Sequence, residues 1–161
     1  MKTNKASSPA SSAAIAPETL SLDNQLCFAL YSTSLTMSKV YKPLLNKLGV
    51  TYSQYVVLLA LWEKDNVMVS ELGDRVYLDS GTLTPLLKRL EVLGLIRRNR
   101  ATDDERRVLV NLTDKGRELR NQTQEVTNGI HGAVQCSADE AKTLTRRLQK
   151  LRGALSKSIL K

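Results

Sequence analysis

One stretch, Leu78 to Ile96, constrains this chain more than any other. Leu83, Leu86, Leu87, Leu90 and Leu93 recur at steps of three and four, which places them on one side of an α-helix. Ser80, Thr82, Thr84, Lys88 and Arg89 occupy the rest of the turn. Gly94 predicts the left-handed stop, and Leu95 can fold back onto the last helical turn. The segment is therefore a short amphipathic helix with one buried stripe and one small, polar, cationic face.

The residues that follow give the helix a context. Ile96 to Arg100 reads as a strand, Ala101 to Glu105 as a turn, and Arg106 to Leu112 as a second strand with Val108, Val110 and Leu112 alternating on one face. A helix followed by a charged hairpin is the pattern of a winged helix-turn-helix. Arg97, Arg98, Arg100, Arg106 and Arg107 all fall in or beside the hairpin. A basic hairpin tip can follow a DNA backbone or place an arginine in the minor groove. Asp104 and Arg106, two residues apart, share a face of the second strand. That spacing makes Arg106 the expected wing contact and Asp104 its orienting partner. A helical core with a merely solvated charged hairpin fits the same residues. Within the helix, small hydroxyls at the start and cations further along suit entry into a major groove N-terminus first. Ser80, Thr82, Thr84, Lys88 and Arg89 are its candidate DNA contacts.

Charge agrees with a polyanionic partner. The 161 residues carry a formal net charge of +8 and a pI near 9.7. That balance points to nucleic acid or to an acidic membrane surface. No apolar run approaches the ~20 residues that span a bilayer, and no signal-peptide pattern follows Lys2 and Lys5. Two widely separated cysteines do not make a disulfide framework, and a cytoplasmic setting is the default.

In chain order, residues 1–20 are rich in Ser, Ala and Pro and read as a flexible tail. A first helix is expected over Leu22–Tyr41, with Pro43 kinking or restarting it and Gly49 ending the segment. Thr51 and Gln54 form a capping box that opens an almost wholly apolar helix through Val56, Leu58, Leu59 and Trp62. Val67–Val69 reads as extended, and Ser70 as the cap of a brief helix from Glu71 to Tyr77. Thr113 is expected to cap one long helix to about Val134, weakened at its end by Gly129 and Gly132. Ser137 and Glu140 mark a second capping box and a last helix to about Ile159, with a stripe of Leu144, Leu148, Leu151 and Leu155. The fold class is thus mainly α with a small β-wing. A single domain is expected over residues 21–161, its winged helix-turn-helix at about 52–112. Helices at about 21–48 and 113–160 would form a homodimer matched to a palindromic operator.

Leu72 to Gly116 resembles the DNA-binding region of MarR-type bacterial regulators. Asp104-Glu105-Arg106 is similar to their wing signature, and Leu112-Thr113-Asp114-Lys115-Gly116 to the start of their next helix. More narrowly, Leu26-Cys27-Phe28-Ala29-Leu30-Tyr31, Tyr41-Lys42-Pro43-Leu44-Leu45 and Tyr77 to Arg89 resemble the organic-hydroperoxide sensor branch, OhrR. The resemblance starts the key helix near Ser80, whereas local rules would cap it at Thr84 and put Pro85 in its first turn.

Alone, Cys27 on an apolar helix reads as a small buried hydrophobe. The resemblance implies a different role, a peroxide-sensing thiol supported by Tyr31, Tyr41 and Tyr52, whose phenols can donate to a thiolate. Apolar surroundings would then favour an organic hydroperoxide over hydrogen peroxide. Cys136, which precedes a helix cap, reads alone as a chance cysteine; the resemblance implies a resolving thiol that joins Cys27 of the opposite subunit. His131 is the sole histidine, so a zinc site is not expected, nor is a cofactor. Glu71, Asp74 and Glu91 read as solvated helix surface. No nucleophile elbow or phosphate loop points to an enzyme. The expected function is a transcriptional repressor that releases DNA when an organic hydroperoxide oxidises it. The alternatives are a winged-helix regulator answering to a small apolar or phenolic ligand, and a thiol peroxidase.

Overall fold

The first helix begins and ends later than its apolar periodicity suggests. In the computed structural model, which describes residues 21–100 and 107–159, a 3-10 turn at Leu22–Asn24 precedes α1 (Leu26–Asn46). Pro43 lies inside α1 and does not end it. Its fixed φ is helical, so the local loss is the one hydrogen bond its nitrogen cannot donate. The stop comes at Gly49, whose φ of 70° lets Val50 turn back to the carbonyl of Leu45. The chain divides into two compact units, one up to Met37 and one from Ser38 onward. Among the described residues, the first unit holds the 3-10 turn and the start of α1.

The second unit is built on α2 (Tyr52–Glu63), α3 (Val69–Val76) and α4 (Ser80–Val92). The Thr51 capping box opens α2 as expected, the Thr51 N–H reaching Gln54 Oε1 at 2.7 Å. Val57, Leu58 and Leu61 of this helix are buried, but Leu59 is 41% exposed, so one edge of a nearly all-apolar helix faces outward. Leu72 from α3 and Leu83, Leu87 and Leu90 from α4 close the same core, each at most 1% exposed. Full burial of such a side chain stabilises by about 1.5–3 kcal/mol, which makes this stripe the main reason α4 forms where it does.

Three antiparallel strands complete the unit: β1 (Val67–Met68), β2 (Ile96–Arg100) and β3 (Val108–Leu112), in the order β1-β3-β2. The register pairs Ile96 with Leu112 and Arg100 with Val108, and Val67 with Val110. Val110 and Leu112 point into the core, which confirms the alternation read from the sequence. Asp65 pins this sheet to α2. Its Oδ1 accepts the N–H groups of Asn66 and Leu112, and its Oδ2 pairs with Arg117. Burial pushes the Asp65 carboxyl up, but the amides of Leu112 and Asn66 and the Arg117 guanidinium outweigh it and hold the group below its ordinary value.

Two helical boundaries differ from expectation. The brief helix starts at Val69 rather than Glu71, with Met68 as its N-cap residue and the Glu71 carboxylate reaching back to the Met68 N–H at 3.3 Å; Ser70 is not the cap. The long helix after Thr113 is broken into α5 (Asp114–Leu119), a 3-10 turn (Arg120–Gln122) and α6 (Gln124–Val134). Thr113 does cap α5, accepting the Gly116 N–H at 3.0 Å. In α6, Gly129 is set by packing: a Cβ there would lie 2.8 Å from Leu44 Cδ1. The last helix, α7 (Ala138–Ile159), opens on the expected Ser137–Glu140 capping box. No helix among the described residues is long and apolar enough to cross a membrane.

Candidate nucleic-acid interface and redox thiols

The key helix starts early. Asp79 is the N-cap of α4, accepting the Thr82 N–H at 2.9 Å and the Thr82 hydroxyl at 2.8 Å. Those Thr82 bonds hold the Asp79 carboxyl below its ordinary value, so it is anionic at the positive end of the helix. Pro85 is accommodated inside the helix, and the carbonyl it leaves unbonded is that of the exposed Gly81. At the other end, Gly94 at φ 72° donates to Glu91 while Leu95 donates to Leu90 and is buried, as the sequence implied.

The polar face is less uniform than the sequence pattern suggested. Ser80, Thr82, Lys88 and Arg89 are exposed and Thr84 is half-buried. At 100° per residue, Ser80, Thr84 and Lys88 fall along one flank of the outward surface and Thr82 with Arg89 along the other. Ser80 and Thr84 border a groove of about 540 Å³ whose other walls include Met68, Leu78, Arg98 and Val108. Thr82 serves the cap, since its hydroxyl proton goes to Asp79.

Glu91 is not solvated surface. Its Oε2 accepts from Arg98 Nη2 at 2.6 Å and Nε at 3.0 Å, and its Oε1 accepts the Arg98 N–H at 3.0 Å. The Arg98 guanidinium beside it holds the Glu91 carboxyl below the usual range. Arg98 is thus drawn inward to clamp the end of α4 to β2. An acidic residue seven positions before an arginine, across a Gly turn, was the available signal. Arg97 and Arg100 are exposed on the same strand, and Arg107 directs Nε to the Met68 sulfur at 3.3 Å. The expected wing pair, Asp104 and Arg106, lies outside the described residues.

Both thiols are exposed. Cys27 sits exposed in the first turn of α1, with the 62%-exposed Tyr31 one turn further along, so the buried-hydrophobe reading does not hold within the single chain. Cys136 follows Gln135, the left-handed residue after α6, and lies two positions before α7. The other two phenols, in the second unit, stand together: the Tyr41 and Tyr52 rings are 4.7 Å apart, and Tyr55 is 6.1 Å from Tyr41. Burial, reinforced by the Tyr52 and Tyr55 phenols, pushes the Tyr41 hydroxyl up, which keeps it a proton donor across the neutral range. Among the described residues no cluster of His, Cys, Asp and Glu is placed to hold a metal ion.

Comparison with known proteins fits this geometry. The family model for the transcriptional regulator SarA/Rot matches residues 39–123. The organic hydroperoxide resistance transcriptional regulator of Bacillus subtilis is 48% identical over 132 residues, 82% of this chain and 90% of that protein. Solved structures of AbfR are similar: the reduced protein bound to DNA has a TM-score of 0.68 at 39% identity, covering 86% of this chain and 96% of that one. The disulfide-formed AbfR has a TM-score of 0.57 at 36% identity, covering 89% and 96%. A mutant MarR from E. coli complexed with operator DNA has a TM-score of 0.71 at 28% identity, covering 78% and 92%. An amphipathic helix capped at Asp79, a three-stranded wing and these likenesses place the chain in the MarR family of DNA-binding transcriptional regulators, which are not enzymes, and in its organic-hydroperoxide branch.

Proposed function

We propose that this chain is a homodimeric repressor that holds a palindromic operator when reduced and releases it when an organic hydroperoxide oxidises Cys27. The observation that carries the reading is the accessible Cys27 thiol with Tyr31 one turn along α1, in a chain similar to an organic hydroperoxide resistance regulator. Thiolate attack on the peroxide forms an S–O bond and breaks the O–O bond. The sulfur is oxidised by two electrons, and the alkoxide leaves and takes a proton to become an alcohol. Tyr31, Tyr41 and Tyr52 are the donors that would favour the thiolate. The Cys136 thiol of the opposite subunit then attacks the sulfenic sulfur, forming the disulfide and releasing water.

DNA contact in this reading comes from Ser80, Thr82, Thr84, Lys88 and Arg89 on α4, and from Arg106, oriented by Asp104, on the wing. A disulfide brings its two Cα atoms within about 4.4–6.8 Å, so helices bearing distant cysteines must move to form it. That movement re-spaces two recognition helices that must sit about one DNA turn, ~34 Å, apart. Peptide mapping of the oxidised protein tests the chemistry: it should yield a Cys27–Cys136 linked pair, and a non-reducing gel a covalent dimer that Cys136→Ser abolishes. DNA release by wild type without that pair would remove the resolving role of Cys136.

The groove beside Ser80 and Thr84 favours one second reading, a regulator answering to a small apolar or phenolic ligand without cysteine chemistry. Release of DNA by such a ligand from a Cys27→Ser, Cys136→Ser variant would support it.

A further inference from the structure

The turn of the helix-turn-helix is held from a distance. Tyr77 ends α3 in the left-handed region, φ 57° and ψ 40°, with its N–H returning to the Gly73 carbonyl. A tyrosine adopts that conformation only where its surroundings maintain it. The turn is tight: a Cβ on Gly73 would come within 3.0 Å of the Leu78 carbonyl oxygen. Two residues beyond Tyr77 stands Asp79, the cap on which the first turn of the recognition helix is built. The Tyr77 side chain is 62% exposed, so it is not fixed by burial. What lies over its ring is the guanidinium of Arg152, its Cζ 4.2 Å from the ring centroid. Arg152 belongs to α7, the helix that begins two residues after Cys136.

We infer that Arg152 is a positioning residue for DNA binding: through its cation–π contact it holds Tyr77, and with it the start of the recognition helix, to α7. The inference rests on the DNA-binding reading above and is independent of the cysteine chemistry. It also gives α7 a role in addition to dimer packing. Arg152 lies fourteen residues, about 21 Å of helix, beyond the start of α7 at Ala138, so displacement of α7 at its start would be felt at the recognition helix. The competing reading is that Arg152 is one more cation facing phosphate.

The two readings differ in salt dependence. A contact of this kind is worth about two- to fivefold per protomer, so breaking both copies on a two-site duplex lowers affinity by about five- to thirtyfold. A lost phosphate contact would also flatten the logarithmic salt slope by about 0.9 per site. The experiment uses reduced full-length chain carrying Cys27→Ser and Cys136→Ser, with no peroxide, so that failure here leaves the peroxide response untouched. The probe is a duplex of about three helical turns, selected by wild-type chain from a random-sequence pool. Failure of wild type to bind any selected duplex would instead sink the DNA-binding reading itself. Arg152→Ala and Tyr77→Leu should each lower affinity by at least about fivefold with the slope unchanged, and the double variant should be no weaker than either single one. Arg152→Lys and Tyr77→Phe, which keep the cation and the ring face, should bind as the parent does. Losses below fivefold, multiplying losses in the double variant, a flattened slope in Arg152→Ala, or weakened binding by Tyr77→Phe would each overturn the inference.

Discussion

Gly116→Ala separates helix propensity from packing, because the two predict opposite signs. Gly116 lies in α5, where alanine in place of glycine ordinarily stabilises by roughly 0.5–1 kcal/mol. Here an added Cβ would fall 2.0 Å from the Leu95 carbonyl oxygen, 3.0 Å from its carbon and 3.2 Å from Leu112 Cδ2. Leu95 is backbone-anchored at the head of β2, so α5 must retreat; about 1.4 Å brings the oxygen contact out to an ordinary 3.4 Å. The retreat stretches the bonds that seat the helix: Thr113 N–H to the Leu95 carbonyl at 3.1 Å, and Trp62 Nε1–H to the Gly116 carbonyl at 2.9 Å. Losing both costs about 2 kcal/mol, and residual overpacking adds about 1–3 kcal/mol. The net expectation is a loss of about 2–4 kcal/mol in urea unfolding at fixed protein concentration. Gly153→Ala in α7 is the control; nothing lies within 4 Å of its added Cβ, and it should gain roughly 0.5–1 kcal/mol. A Gly116→Ala variant as stable as wild type would refute the packing argument.

Further outcomes follow from the same geometry. Lys88→Ala and Arg89→Ala should each weaken DNA binding and flatten the salt slope by about 0.9 per site; an unchanged slope in both would move the phosphate contacts elsewhere. Arg106→Ala should lower operator affinity and leave the melting temperature unchanged, whereas a variant that unfolds would show Arg106 to be structural. Because the Asp65 carboxyl is held below its unfolded value of about 3.9, its contribution is complete above that pH and is lost as pH falls through the lower folded value. Asp65→Asn should therefore be less stable than wild type at neutral pH, with the gap narrowing in acid titration of stability; a gap independent of pH would contradict the assignment.

How much was legible depended on the range over which each signal acts. The leucine stripe of α4, the Gly94 stop and the capping boxes at Thr51 and Ser137 are local, and each stands where its residues put it. The face of β3 that enters the core followed from the alternation of Val108, Val110 and Leu112. Misread features were those decided by partners distant in sequence or by competition between weak local preferences. The seven-residue step from Glu91 to Arg98 spans a turn, so a charge pattern read along a single helix leaves Glu91 on the surface. Arg152 and Tyr77 meet across the fold, and neither residue type in isolation points to the other. The helix after Thr113 broke near Arg120 where periodicity alone predicted continuity. For Cys27, an apolar neighbourhood in sequence did not translate into burial: Leu26 on one side is 57% exposed and Phe28 on the other is only half-buried.

The central claim is that Cys27 oxidation, and not ligand occupancy, releases DNA. Its most direct measurement is operator release by reduced protein titrated with one equivalent of an organic hydroperoxide, wild type beside Cys27→Ser, followed by a thiol reductant. The account predicts stoichiometric release by wild type, recovery of binding on reduction, and no response from Cys27→Ser, which should bind DNA as tightly as reduced wild type. Release of Cys27→Ser at the same peroxide dose would contradict it.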